Sequence, residues 1–87
     1  MQNYPNPFNP STSIGFSLPQ DGYVTMNVYD MTGRLVSTLV DGVLGEGAHV
    51  IDWNGYDNSG EIVSAGVYIY SLESSDMVMT KKMIFLK

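Results

Sequence analysis

Apolar positions recur along this chain with a period of two. In "SIGFSL", Ile14, Phe16 and Leu18 alternate with small or polar residues, the mark of a strand with one face buried. After a "PQDG" turn, "YVTMNVYD" sets Val24, Met26 and Val28 on one side and Thr25 and Asn27 on the other. "MTGR" turns the chain again, with Gly33 expected at positive φ. "LVSTLV" fits two templates, because Leu35, Val36, Leu39 and Val40 would also line a short helix. Its shortness between two glycine turns, and the preference of Val and Thr for a pleated surface, predict a strand. "DGVLGEG" reads as a loop, "AHVIDW" as a strand and "NGYDNSGE" as a turn cluster. A short edge segment is expected near Ile62 and Val63. "GVYIYSLE" and "MVMTKKMIFLK" then pair as a hairpin across "SSD".

These segments predict an all-β domain, a seven-stranded antiparallel immunoglobulin-like β-sandwich over residues 13–87, with no helix. The Cys…Trp…Cys signature of antibody domains is absent, since the chain has no cysteine. Phe16, Val28, Trp53 and Leu72, large residues at strand centres, are expected in the core. Residues 1–12 read as a proline-rich lead-in or linker end, because Pro5, Pro7 and Pro10 fix φ, remove donors and hold their predecessors extended. Met1, directly before this lead, reads as an initiator added to part of something longer.

Composition supports a folded chain, with 44% apolar residues in 87, one domain near the lower size limit for a self-sufficient core. The formal charge of −5 excludes a phosphate-binding surface of clustered Lys and Arg, and so nucleic acid. No run approaches a membrane span, and the first residues lack the charged and apolar regions of a signal peptide. The charge is unevenly placed: residues 1–80 hold Arg34 against nine carboxylates, a balance of −8, while Lys81, Lys82 and Lys87 make the tail +3. Lysines on a last strand suppress unwanted edge pairing, but that task does not require them to bracket the final residues.

The residues for catalysis are missing. His49 is the single histidine and sits in an expected strand, so no nucleophile–base pair can be assembled around it. A small sandwich without long loops offers little material for a paired-carboxylate cleft. Asp52, Asn54, Asp57, Asn58 and Glu61 are oxygen donors of the kind calcium takes, but they miss the EF-hand spacing, and Asx turns explain the same composition. Trp53, Tyr68 and Tyr70 would make a sugar-stacking platform if exposed; in strands such aromatics fill the core. No enzyme activity, cofactor or metal is expected.

Three separated pieces, "YPNPFNPSTSIGFSLP", "GYVTMNVYDMTGRLVSTLVDG" and "GVYIYSLESSDMVMTKKMIFLK", carry the motifs Pro5-Asn6-Pro7, Tyr29-Asp30-x-x-Gly33-Arg34 and a Lys-Lys-apolar-Lys ending. Together they resemble the type A C-terminal sorting domain of proteins exported by the type IX secretion system of Bacteroidetes-like bacteria. The resemblance implies a non-catalytic domain behind a covalently attached N-terminal passenger, which it directs across the periplasm and outer membrane to the cell surface. Its implied partners are the outer-membrane translocon and a sortase that removes it. Lys81, Lys82, Met83, Ile84, Phe85, Leu86 and Lys87 would be read as the signal, while Pro5, Asn6, Pro7, Tyr29, Asp30, Gly33 and Arg34 would serve structure. The Trp-Asn-Gly-x-Asp-x-x-Gly turn before a Gly-x-Tyr strand also resembles the immunoglobulin-like domain of flagellar hook-capping proteins, a structural assembly module. A small carbohydrate-binding module of a secreted hydrolase is a third reading.

Overall fold

The structure is a computed structural model that describes residues 11–75 and 77–86, together with the strand pairing of residues 3 and 4. Its strands are β1 (Asn3–Tyr4), β2 (Thr12–Leu18), β3 (Gly22–Tyr29), β4 (Leu35–Leu44), β5 (Gly47–Trp53), β6 (Gly66–Glu73) and β7 (Val78–Phe85). They form two antiparallel sheets, one in the order β1-β2-β5 and the other β4-β3-β6-β7. The β3–β4 and β6–β7 connections stay within the second sheet. The chain passes between the sheets after β2, β4 and β5.

Six strands are of full length, not seven, and β1 adds only two residues, Asn3 opposite Ile14 and Tyr4 opposite Ser13. The strand expected near Ile62 and Val63 is reduced to one bridge, Tyr56 to Ile62. Side-chain and turn hydrogen bonds shape that segment in place of a ladder. Three residues of the expected lead-in, Asn3, Tyr4 and Thr12, by contrast, join the three-stranded sheet. "DGVLGEG" is also more regular than its glycines suggest: β4 runs on through Leu44 and β5 begins at Gly47, leaving only Gly45 and Glu46 between them.

The alternation in the strands builds the core. Ile14, Phe16 and Leu18 of β2 and Trp53 of β5 face Val24, Met26 and Val28 of β3, Tyr68, Tyr70 and Leu72 of β6, and Met83 and Phe85 of β7, all buried. The four residues expected inside, Phe16, Val28, Trp53 and Leu72, are 0–2% exposed, and large apolar side chains contribute about 1.5–3 kcal/mol each on burial. Trp53 anchors the packing between sheets. Its ring meets Tyr68 edge-on, with centroids 5.5 Å apart, and lies 6.5 Å from Phe85.

The ambiguous β4 contains two irregularities. Met26 pairs with Val40 but Asn27 with Thr38, and Val28 pairs with Ser37 but Tyr29 with Leu35. Leu39 and Val36 are thus extra residues in the strand, the mark of β-bulges. Each resets the alternation, so Val36, Leu39 and Val40 all pack against the core.

Candidate functional site

The tail is the last strand of the four-stranded sheet, and its alternation divides the expected recognition residues. Met83 and Phe85 are 0% and 2% exposed and belong to the core. Lys82 and Leu86 are exposed and Ile84 is half-buried, pointing to the outer face; Lys81 is half-buried on the opposite side of the strand. Lys82 pairs with Ile69, Ile69 with Tyr29 and Tyr29 with Leu35, so one row crosses all four strands. Ile84 pairs with Val67 in the next row. The outward part of the tail is therefore continuous with β3 and β6, a neighbourhood that a linear reading of the last residues misses. Period two along β7 was the signal that could have separated its outward residues from its buried ones. Lys87 and Pro5-Asn6-Pro7 lie outside the described residues.

The Tyr-Asp-x-x-Gly-Arg motif is a turn built by a carboxylate. Asp30 Oδ1 accepts from the Thr32 backbone N–H at 2.9 Å, the Thr32 hydroxyl at 2.6 Å and the Arg34 backbone N–H at 3.1 Å. The Thr32 hydroxyl first, then the Arg34 amide, hold the Asp30 carboxyl below its ordinary pKa. Gly33, at φ +87°, donates to the Asp30 carbonyl. Arg34 itself points to solvent, with its side chain 85% exposed and Nε 3.9 Å from Asp30 Oδ2.

Four of the five oxygen donors of a calcium kind accept hydrogen bonds from the chain itself. Asp52 accepts from the Ser13 hydroxyl, Asn54 from the Tyr56 amide, Asp57 from the amides of Ser59 and Glu61, and Asn58 from the Thr38 amide. Among the described residues no group of three or more His, Cys, Asp or Glu side chains is placed to hold a metal. Asn58 has a role not foreseen from composition. Its N–H donates to the Val36 carbonyl and its Oδ1 accepts from the Thr38 N–H, so one residue pairs with the outer edge of β4 as a neighbouring strand would.

Between the two turns lies an open cleft of about 530 Å³, bordered by Asp30, Arg34, Val36, Asp57, Ile62 and Tyr68. Tyr68 is 7% exposed and its hydroxyl donates to the Ser64 carbonyl at 2.6 Å; burial, then the nearby Asp30 charge, raise its pKa. Burial also raises Tyr70. With Trp53 1%, Tyr68 7% and Tyr70 0% exposed, these aromatics fill the core as expected and form no sugar-stacking platform. His49 does not line the cleft; its ring is stacked on Phe16 at 5.5 Å and its Nε2 is 2.6 Å from the Gly45 carbonyl.

Known proteins share this architecture. FlgD from P. aeruginosa is 27% identical with a TM-score of 0.68, over 85% of this chain and 60% of FlgD. Dimeric latent PorU from Porphyromonas gingivalis is 26% identical with a TM-score of 0.75, over 98% of this chain but 9% of PorU. PorZ, an essential surface component of the type IX secretion system of the same bacterium, has a TM-score of 0.68 over 99% of this chain and 11% of PorZ; at 19% identity that likeness is one of fold. The chain thus spans 60% of FlgD and about a tenth of PorU and PorZ. No curated protein matches it. No helix among the described residues is long and apolar enough to cross a membrane. Residues 6–77 match the FlgD Ig-like domain, and the chain belongs to that family of immunoglobulin-like β-sandwich domains.

Proposed function

We propose that this immunoglobulin-like module is a C-terminal sorting domain of type IX secretion, a non-catalytic signal that carries an attached N-terminal passenger across the outer membrane to the cell surface. One observation carries the reading: residues 1–80 have a charge of −8, while three of the four cations fall within residues 81–87, where Lys82, Ile84 and Leu86 share an outward face. The likeness to PorU over nearly the whole chain supports it, as does the fold shared with PorZ, itself a type IX component. The translocon and then the sortase would be its partners.

Membership of the FlgD family favours a second reading, an Ig-like assembly module. The two separate in a host carrying the type IX machinery, with a reporter passenger fused ahead of the domain. As a sorting signal, the wild-type domain displays the passenger on the surface, and the Lys81, Lys82 and Lys87→Gln variant leaves it in the periplasm. Surface charge changes of this kind usually alter stability by less than about 0.5 kcal/mol, so circular dichroism should show the variant folded. Failure of the wild-type fusion to leave the periplasm overturns the sorting reading in favour of the assembly module. Normal display with the Gln variant removes the lysines from the signal. Deleting residues 83–87 is a poorer test, since it strips Met83 and Phe85 from the core.

A further inference from the structure

The outer faces of the two sheets differ in chemistry. That of the three-stranded sheet carries mostly small residues, with Gly15 opposite Val50 and Ser17 opposite Ala48. The four-stranded sheet instead presents Tyr23, Leu35, Val43 and Val78 outward, exposed by 56%, 47%, 74% and 70%. Its rows are ordered by charge. Asp41, Thr25, Glu73 and Val78 form one row, Thr38, Asn27, Ser71 and Thr80 the next, and Leu35, Tyr29, Ile69 and Lys82 the third. The first is acidic and apolar, with Asp41 accepting a hydrogen bond from the Tyr23 hydroxyl. The second is uncharged and polar. The third is basic and apolar, with the exposed Arg34 beside Leu35 at its end.

We infer that this face is a self-association surface whose occupant is a second copy of the chain, packed with its strands reversed about a twofold axis lying in the interface across the middle row. That operation brings the basic row of each copy over the acidic row of the other, Lys82 towards Glu73 and Arg34 towards Asp41, each pairing occurring twice as an isologous contact requires. The apolar residues on both rows supply buried area, and the flat polar row lies at the axis. From the strand and residue spacings of a sheet, the face offers about 500 Å² per copy. The total of roughly 1,000 Å² is at the lower bound for a specific interface, so the association is weak. This inference is independent of the sorting reading.

Charge reversal tests it without knowledge of any other partner. Sedimentation equilibrium of the 87-residue chain should show a reversible dimer with a dissociation constant of roughly tens to hundreds of micromolar. Lys82→Glu and Glu73→Lys, both at exposed positions, should each raise that constant by about tenfold or more, because each turns both copies of one attraction into repulsion. An equimolar mixture of the two variants should recover wild-type affinity, since each then presents the charge the other lacks; recovery also shows both are folded. A wild-type chain that stays monomeric up to roughly millimolar concentration overturns the inference. So do variants that dimerise as the wild type does, or a mixture no tighter than its components.

Discussion

The hairpin turn Asp30–Arg34 and the loop turn Asp57–Glu61 use one backbone design for two tasks. In each, the aspartate N–H donates to the carbonyl four residues on, at 3.0 and 2.8 Å, and the glycine N–H donates back to the aspartate carbonyl at 3.0 Å. In each, the aspartate Oδ1 accepts from the amides two and four residues on. Gly33 and Gly60 have φ of +87° and +86°. The surroundings differ. The first turn joins β3 to β4, strands already held by their own ladder. The second belongs to the connection between sheets, where Asn58 pairs with β4, Val63 N–H donates to the Gly55 carbonyl at 2.8 Å and Trp53 Nε1 donates to the Tyr56 carbonyl at 2.9 Å. A local motif sets the turn, and its neighbours decide how much of the fold depends on it.

The largest expected effect breaks the second turn's anchor and spares the first. Trp53→Ala removes the largest buried ring and the Tyr56 hydrogen bond together, and truncations of this size cost about 3–5 kcal/mol, a large share of the roughly 5–15 kcal/mol available to a domain. Chemical denaturation should place this variant at the edge of unfolding. Trp53→Phe keeps most of the ring and loses the donor, so it should stay folded. Amide exchange should then quicken at Ser59, Gly60 and Glu61 and stay unchanged at Thr32, Gly33 and Arg34. Equal quickening at both turns would mean that they are not independently supported.

Exchanging glycine for alanine in each turn sharpens the comparison. A Cβ at Gly33 or Gly60 meets nothing within 4 Å, so only the left-handed backbone conformation opposes the change, at a cost of about 1–2 kcal/mol. Gly33→Ala and Gly60→Ala should therefore lower the denaturation midpoint by similar amounts. A cost at Gly60 more than about 1 kcal/mol above that at Gly33 would show that its turn also transmits strain to the contacts of Asn58 with β4.

How far these features were legible follows from the range of the forces that set them. β2, β3, β6 and β7 each bury one face; period two revealed β2 and β3, and hairpin pairing across "SSD" revealed β6 and β7. In β4 the bulges at Val36 and Leu39 insert extra residues, so its spacing imitated a helix until the partner strand was known. The Asp41–Leu44 stretch looked like loop because Asp and Gly signal turns, yet Val43 points out and Leu44 packs against the core, as in any strand. Asp-x-x-Gly occurs three times, at Asp30, Asp52 and Asp57; Asp30 and Asp57 build the turn while Asp52 lies in β5, so the pattern alone did not single out Asp57. What Asn58 does was not legible, because its partners on β4, Thr38 and Val36, are 20 and 22 residues away. In the tail the same period of two separates Met83 and Phe85 from Lys82, Ile84 and Leu86, and the hairpin across "SSD" put β6 beside Lys82, but the continuation of that row into β3 and β4 is set by topology alone.

The smallest expected effect isolates charge from geometry in the first turn. Asp30→Asn keeps an oxygen to accept the Thr32 and Arg34 amides but removes the negative charge. The wild-type carboxyl titrates below its ordinary value of 3.8 in the folded chain, chiefly through the Thr32 hydroxyl and the Arg34 amide. A lowered folded pKa adds stability that is fully present above the unfolded value and is lost as pH falls through the folded one. The stability gap between wild type and Asp30→Asn should therefore stay constant at neutral pH and narrow on acidification below about pH 4. Urea unfolding of both proteins across that range measures it, with every other carboxylate common to the pair. A gap that widens on acidification would mean that the charge opposes the turn, leaving hydrogen-bond geometry as its whole contribution.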